Sequence, residues 1–153
     1  TAVFGDLGKN AIKIMDEIIE GNLVKNYIKT CLFNNRRLNL LPVSYLVSAI
    51  TFFIAKQSLE NNDVFIVSAD DEIDNNYQYV EQTIRQSLGL KNHLIPIIPV
   101  PKFVLTILLK LMGRSNIYPS RVYSAKKLKA CGWKSEGCFR DAIQALSQSR
   151  TGI

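Results

Sequence analysis

Three observations predict an α/β fold for this 153-residue chain. Short β-branched or aromatic runs alternate with longer runs of helical periodicity, glycine, asparagine and proline punctuate the changes, and neither an internal repeat nor a low-complexity linker interrupts the pattern. Four or five helices and three or four short strands are expected. That is too few strands for a complete doubly wound sheet.

Taken in order, Ala2–Val3–Phe4 reads as the end of a strand closed by Gly5-Asp6, with Gly8 in the loop. Asn10 is suited to cap a helix whose Ile12, Met15, Ile18 and Ile19 share a face, and Gly21-Asn22 stops it. Tyr27 to Phe33 has the composition of a strand. With Leu38 to Leu41 it suggests a hairpin turning at Asn34-Asn35, with Arg36 and Arg37 beside the turn. Pro42 suits the first turn of a helix to about Gln57, which is apolar nearly all round and so expected to be buried on most sides.

Asp63 to Ser68 is a further strand, and Asn75 or Asn76 caps a helix that ends at Gly89. Three prolines in HLIPIIPVPKF force extended backbone, after which Lys102 to Met112 reads as a largely apolar helix. Ser124 is suited to cap AKKLKAC, Phe139 to Leu146 is the last amphipathic helix, and the polar tail SQSRTGI is expected to fray.

Composition narrows the class. With 47% hydrophobic and 21% charged residues the chain is globular in type and of one-domain size. Cys31, Cys131 and Cys138 are an odd set, too widely spaced for the close pairs of zinc sites, and His93 is the sole histidine, so no metal site is expected. Idle or buried thiols fit a reducing, cytoplasmic setting. No charged region followed by an apolar core opens the chain, so no signal peptide is read there. Leu38 to Ala55 lacks charge over nearly a membrane-spanning length, but it contains Pro42 and several polar residues and divides into a strand and a helix. No transmembrane segment is expected.

The basicity is local. Between Gly113 and Arg140 stand seven cations and one acid, Glu136, which accounts for the whole formal net charge of +6. Such a field selects an anionic partner, and a solvated helix face is the plain alternative. Nucleic acid is disfavoured because the stretch carries no recognition motif, and Tyr118, Tyr123, Trp133 and Phe139 do not alternate as stacking platforms would. A diphosphate is the narrower possibility: Arg114 and Arg121 lie in a loop-like stretch, and arginine forks phosphate oxygens bidentately.

Two other patterns are weak. The acids of DDEIDNNY have calcium-loop spacing from Asp70 to Glu81, yet the sixth position is Asn75 where glycine is needed, and a strand-like segment precedes it. Acids set before a helix N-terminus explain the run more simply. Tyr123 and Lys127 have Tyr-x-x-x-Lys spacing, but no GxGxxG precedes them, so they are not read as a catalytic pair.

Four stretches together resemble the carboxyl-terminal half of the extended short-chain dehydrogenase/reductase family, the NAD-dependent epimerases and dehydratases of nucleotide sugars. AVFGDLGKNAIKIMDEIIEG resembles the family's strand ending in "vyGp" with its loop and helix. NNRRLNLLPVSYLVSAI resembles the "RRslvyVdDlvdAi" block, and DVFIVSADDEIDNNYQYVEQTIRQSLGL the strand, loop and helix that follow it. SAKKLKACGWKSEGCFRDAI resembles the closing block with its lysine and "LGW". Order and spacing agree over nearly the whole chain.

The resemblance implies that residues 1–153 form the substrate-binding carboxyl-terminal portion of a Rossmann-type reductase, contributing the last sheet strands and a small α/β subdomain. The opening TAVFGD, read as a strand entered from upstream, fits that expectation. The dinucleotide-binding portion, with the glycine fingerprint and the catalytic Tyr-x-x-x-Lys, would lie in an amino-terminal half that this chain lacks. NAD(P) is then the cofactor of the full enzyme and is not expected on this portion, which would carry no catalytic residue and be inactive alone.

The implied partners are a nucleotide-sugar substrate, the amino-terminal half and a second copy in a homodimer, in sugar-nucleotide or surface-polysaccharide metabolism. By position, Arg37 matches the arginine before the "vyVdD" block, Arg114 lies near the arginine upstream of the closing lysine, and Lys126 matches that lysine. With Arg121 these are the expected substrate-binding residues. Ser44-Tyr45 stands where the second block usually has aspartate, and Tyr123 where the closing block often does, which leaves the sugar open. The alternative, from a different class, is a non-catalytic basic module that binds nucleic acid or an anionic membrane surface.

Overall fold

A computed structural model describes residues 2–5, 8–56, 63–111, 113 and 121–151. Its elements run β1 (Ala2–Phe4), α1 (Lys9–Ile19), α2 (Leu23–Phe33), β2 (Leu40–Pro42), α3 (Val43–Ala55), α4 (Tyr77–Ser87), α5 (Lys102–Leu111), α6 (Lys126–Ala130) and α7 (Phe139–Thr151). This is a mixed helical structure around a small parallel sheet, as a small α/β domain requires.

The sheet pairs β1 with β2 in parallel, with Ala2 opposite Leu40 and Phe4 opposite Pro42. Parallel strands cannot be joined by a tight turn, and here α1 and α2 form the crossover. Alternation in β1 turns Phe4 into the core and leaves Val3 exposed, whereas β2 is buried along its whole length, Leu40, Leu41 and Pro42 alike.

Helix α1 buries Met15 and Ile18 of the expected stripe together with Ala11, while Ile12 and Ile19 are half-buried, and Gly8 and not Asn10 occupies its N-cap. Each such aliphatic side chain contributes about 1.5–3 kcal/mol on burial. Gly21 makes the tight step into α2, because a Cβ there would lie 2.1 Å from the Glu17 carbonyl oxygen.

The expected strand at Tyr27 to Phe33, and with it the hairpin, is overturned: these residues are the second half of α2. Asn22 caps the helix by accepting from the Val24 N–H at 2.9 Å. Its buried face is Asn26, Thr30 and Cys31, so the inward stripe is largely polar and hydrophobic periodicity does not reveal it. Asn26 donates through Nδ2 to the Ile18 carbonyl at 3.1 Å, which ties α2 to the end of α1.

Pro42 ends β2, and α3 starts at once. The expectation that this helix is buried on most sides is also overturned. Tyr45, Ser48 and Ala49 face inward, whereas Val43, Val47, Ile50 and Ile54 are exposed. Residues 63–69 run extended without a ladder partner among the described residues. Phe65 and Val67 pack on the core and Val64 and Ile66 face out, which is the alternation of the expected strand without its hydrogen bonds.

Asn76 caps α4, accepting from the Tyr79 N–H at 2.9 Å, and Gly89 follows its end with φ +61°. Helix α7 continues to Thr151, into the tail expected to fray. Ser147 is buried there, and the Arg150 guanidinium lies 3.3 Å from Asp16 Oδ1 on α1.

The core gathers β1, β2, α1, α3, α4, α6 and α7, with α4 and α7 the most extensively packed pair. Phe4 meets Phe139 edge to face at 5.9 Å between ring centroids. Trp133 is buried and donates from Nε1 to Ser48 Oγ at 3.2 Å, which fits the anchor role that its position after a glycine suggests. Among the described residues no helix is long and apolar enough to cross a membrane.

Candidate functional site

The polar junction with the most convergent hydrogen bonds is built on Asp70. Its side chain belongs to a residue only 1% exposed, and donors reach it from three separate segments. The Tyr123 N–H donates to Oδ2 at 2.7 Å. With its amide turned so that the nitrogen faces the acceptors, Asn39 donates to the same oxygen at 2.7 Å and to the Arg121 carbonyl at 3.2 Å. Asn75 Nδ2 reaches Oδ1 at 3.4 Å and also bonds the Leu40 carbonyl at 2.9 Å, while its Oδ1 accepts from the Leu40 N–H at 3.3 Å.

A buried carboxylate is tolerated when it is well hydrogen-bonded, and here backbone and amide donors perform that task. Local structure explains how they converge. Asn39 has φ +53°, a left-handed conformation that asparagine adopts more readily than most residues, and it sits immediately before β2. Asp70 closes the extended 63–69 segment, where Ser68 Oγ accepts from the Asp70 N–H at 3.1 Å.

Arg37 belongs to the same neighbourhood. Its Nη1 donates to the Glu72 carbonyl and, at 3.2 Å, to the Ile73 carbonyl, and its backbone forms an isolated bridge with Asn76. One nitrogen of the fork therefore holds the acidic loop; Nε and Nη2 are its other donors. Arg121 is exposed at the head of the segment that Asp70 fixes, and Lys126 opens α6 with its N–H donating to Ser124 Oγ at 3.3 Å. Arg114 lies outside the described residues.

The junction thus brings together segments 37–39, 70–76 and 121–123, which hold two of the four residues singled out from sequence, Arg37 and Arg121. Sequence reasoning missed its centre. The sequence groups Asp70 with acids that favour a helix dipole, and nothing in its spacing indicates that it turns inward; Asn39 falls within the expected strand Leu38 to Leu41, and Asn75 is a candidate helix cap. Lys127 lies 2.5 Å from Asp63 and Lys129 pairs with Asp71, the exposed pairing of a solvated helix face.

Tyr45, at the start of α3, has its phenol pushed above the ordinary tyrosine value, first by burial and then by the negative charge of Glu72. It stays neutral and donates to the Gly137 carbonyl at 3.3 Å.

A second cluster lies between α2, α4 and the 91–97 segment. The Glu81 carboxylate accepts from Arg85 Nε at 2.9 Å and from Thr30 Oγ1, and it lies 2.9 Å from His93 Nε2. Arg85 Nη1 also donates to the Lys91 carbonyl at 2.7 Å. A cavity of about 320 Å³ borders these residues, but His93 Nδ1, the nitrogen that would face a substrate, is shielded and unpartnered. The cluster is a lock that fastens the 91–97 segment to two helices and lacks the geometry of an acid–base dyad.

No group of three or more His, Cys, Asp or Glu side chains is placed to hold a metal among the described residues. No protein-family model, curated protein or solved structure matches the chain.

Proposed function

We propose that this chain is the substrate-binding portion of an NAD(P)-dependent nucleotide-sugar epimerase, dehydratase or reductase of the extended short-chain dehydrogenase/reductase type. The observation that carries the reading is the Asp70 junction. It joins the segment after Arg37, an arginine that the family resemblance gives to the diphosphate, to the segment from Arg121, the arginine that the basic stretch offers as a phosphate fork.

The parallel β1–β2 pair with its helical crossover is compatible with the reading, since parallel strands belong to larger sheets covered on both faces. Arg121, Arg114 and Lys126 supply positive charge to the phosphates, and Arg37 contributes the donors not held by the acidic loop. Binding energy gained at the diphosphate, remote from the reacting carbon, orients the sugar. The glycine fingerprint for a dinucleotide does not occur in this sequence, so NAD(P) is assigned to the upstream portion and no step of the reaction to the residues described.

Isothermal titration with a UDP- or dTDP-sugar tests the assignment. Arg121→Ala and Arg114→Ala should each weaken binding about tenfold or more, the worth of a charge-assisted hydrogen bond of about 1.5–3 kcal/mol. Arg37→Ala should weaken binding and also loosen the 72–73 loop. Unchanged affinity in all three would remove the phosphate roles. Titration of the chain alone with NAD should show no saturable heat.

A further inference from the structure

A second surface has a different chemistry. Helix α5 rests on the protein through Leu105, which is buried, and presents Phe103 (64% exposed), Ile107 and Leu111 (80% exposed) to solvent at intervals of four. That spacing is one helical face, and it points away from Leu105. The proline-rich segment leading into the helix continues the exposure with Leu94 (93% exposed), Ile95 and Ile98. Exposed large apolar side chains gathered on one helix face and on the segment leading into it mark an interaction surface.

The charge around this surface indicates which partner. From Lys91 to Ser135 the sequence contains nine lysines and arginines and no acid at all. Two of these cations, Lys127 and Lys129, are paired with Asp63 and Asp71, whereas Lys91, Lys110 and Lys134, none of them assigned to the diphosphate, are exposed. Lys110 is next to Leu111 in the chain and borders the apolar face, where its stem can lie along apolar surface while the ammonium reaches outward. Nucleic acid would satisfy the charges but offer nothing to the aliphatic face. An anionic bilayer offers acyl chains at the depth of the side chains and phosphates at the depth of the lysines.

We propose that the exposed face of α5, with Leu94, Ile95 and Ile98 before it, docks this protein on an anionic lipid surface. The helix lies in the interface. Its ten residues extend about 15 Å, half of the roughly 30 Å hydrocarbon core, so it does not span it. The inference does not rest on the nucleotide-sugar reading, because α5 contributes none of the residues assigned to the diphosphate.

Sedimentation of the protein with vesicles of phosphatidylcholine alone, and of phosphatidylcholine with phosphatidylserine, tests it. The protein should pellet with the anionic vesicles and stay in the supernatant with the neutral ones. In 1 M salt, where the screening length is about 3 Å, the bound fraction should fall about tenfold. The double variant Phe103→Glu/Ile107→Glu changes exposed side chains only and should lose vesicle binding while keeping its circular dichroism and any nucleotide-sugar affinity. Absence of pelleting with anionic vesicles, or pelleting unchanged in the double variant, overturns the proposal. So does a dimer in light scattering that the double variant dissociates while vesicles remain unbound, since the face would then belong to a second copy.

Discussion

Tyr77 is buried at the start of α4, and its hydroxyl has no hydrogen-bond partner. Burial is the main cause that lifts its phenol far above the ordinary value, with the Glu81 charge adding to it. The unfolded chain releases this proton near pH 10, whereas the folded chain retains it to higher pH. The contribution is therefore fully present below pH 10 and is lost as pH rises from there toward the folded value. Tyr77→Phe should stabilise the protein by about 1 kcal/mol at pH 7, because it removes an unsatisfied polar group, and should flatten the alkaline fall in stability. Urea denaturation at pH 7 and pH 10.5 measures both; a destabilised variant would mean that the hydroxyl has a partner after all. Asp70→Ala predicts the reverse. It leaves the Tyr123 N–H and the Asn39 amide without their acceptor and should cost about 3 kcal/mol in the same assay.

Among the elements, those with an apolar stripe were legible and those with a polar one were not. Met15 and Ile18 of α1, and Val80 and Ile84 of α4, fall where periodicity puts them, and the Asn76 cap and the Gly89 stop follow from residue chemistry. Helix α2 is not legible because Asn26 and Thr30 form its inward face and Tyr27, Ile28 and Phe33 favour a strand locally, until the bonds of Asn26 to the Ile18 carbonyl and of Thr30 to Glu81 decide. Helix α3 was legible as a helix. Its orientation was not, because hydropathy alone does not distinguish an aliphatic face packed on a core from one left open. Two substitutions test this view. Asn22→Ala should destabilise α2 by about 1 kcal/mol through loss of its cap. Trp133→Ala should cost about 4 kcal/mol, since it empties a core site and frees the Ser48 hydroxyl. Thermal denaturation ranks them; equal effects would contradict the distinction between a cap and a core anchor.

For the whole molecule, the concentration of charge between Gly113 and Arg140 was visible from composition, but its division was not. Lys127 and Lys129 are paired with Asp63 and Asp71 on the surface, and Trp133 is core. Arg121 stands at the end of a segment fixed by a buried carboxylate 51 positions earlier in the chain, a contact that no local pattern encodes. The exposed stripes on α3 and α5 lie on helices that contribute nothing to that junction. The central claim is that the junction presents a nucleotide diphosphate to Arg121 and its neighbours. Calorimetric titration of the wild-type chain and Arg121→Ala with a UDP- or dTDP-sugar measures it most directly. The account predicts saturable binding that weakens about tenfold in the variant and in high salt, as a charge-assisted phosphate contact should. No binding of either nucleotide sugar by the wild-type chain, or equal binding by the variant, would contradict it.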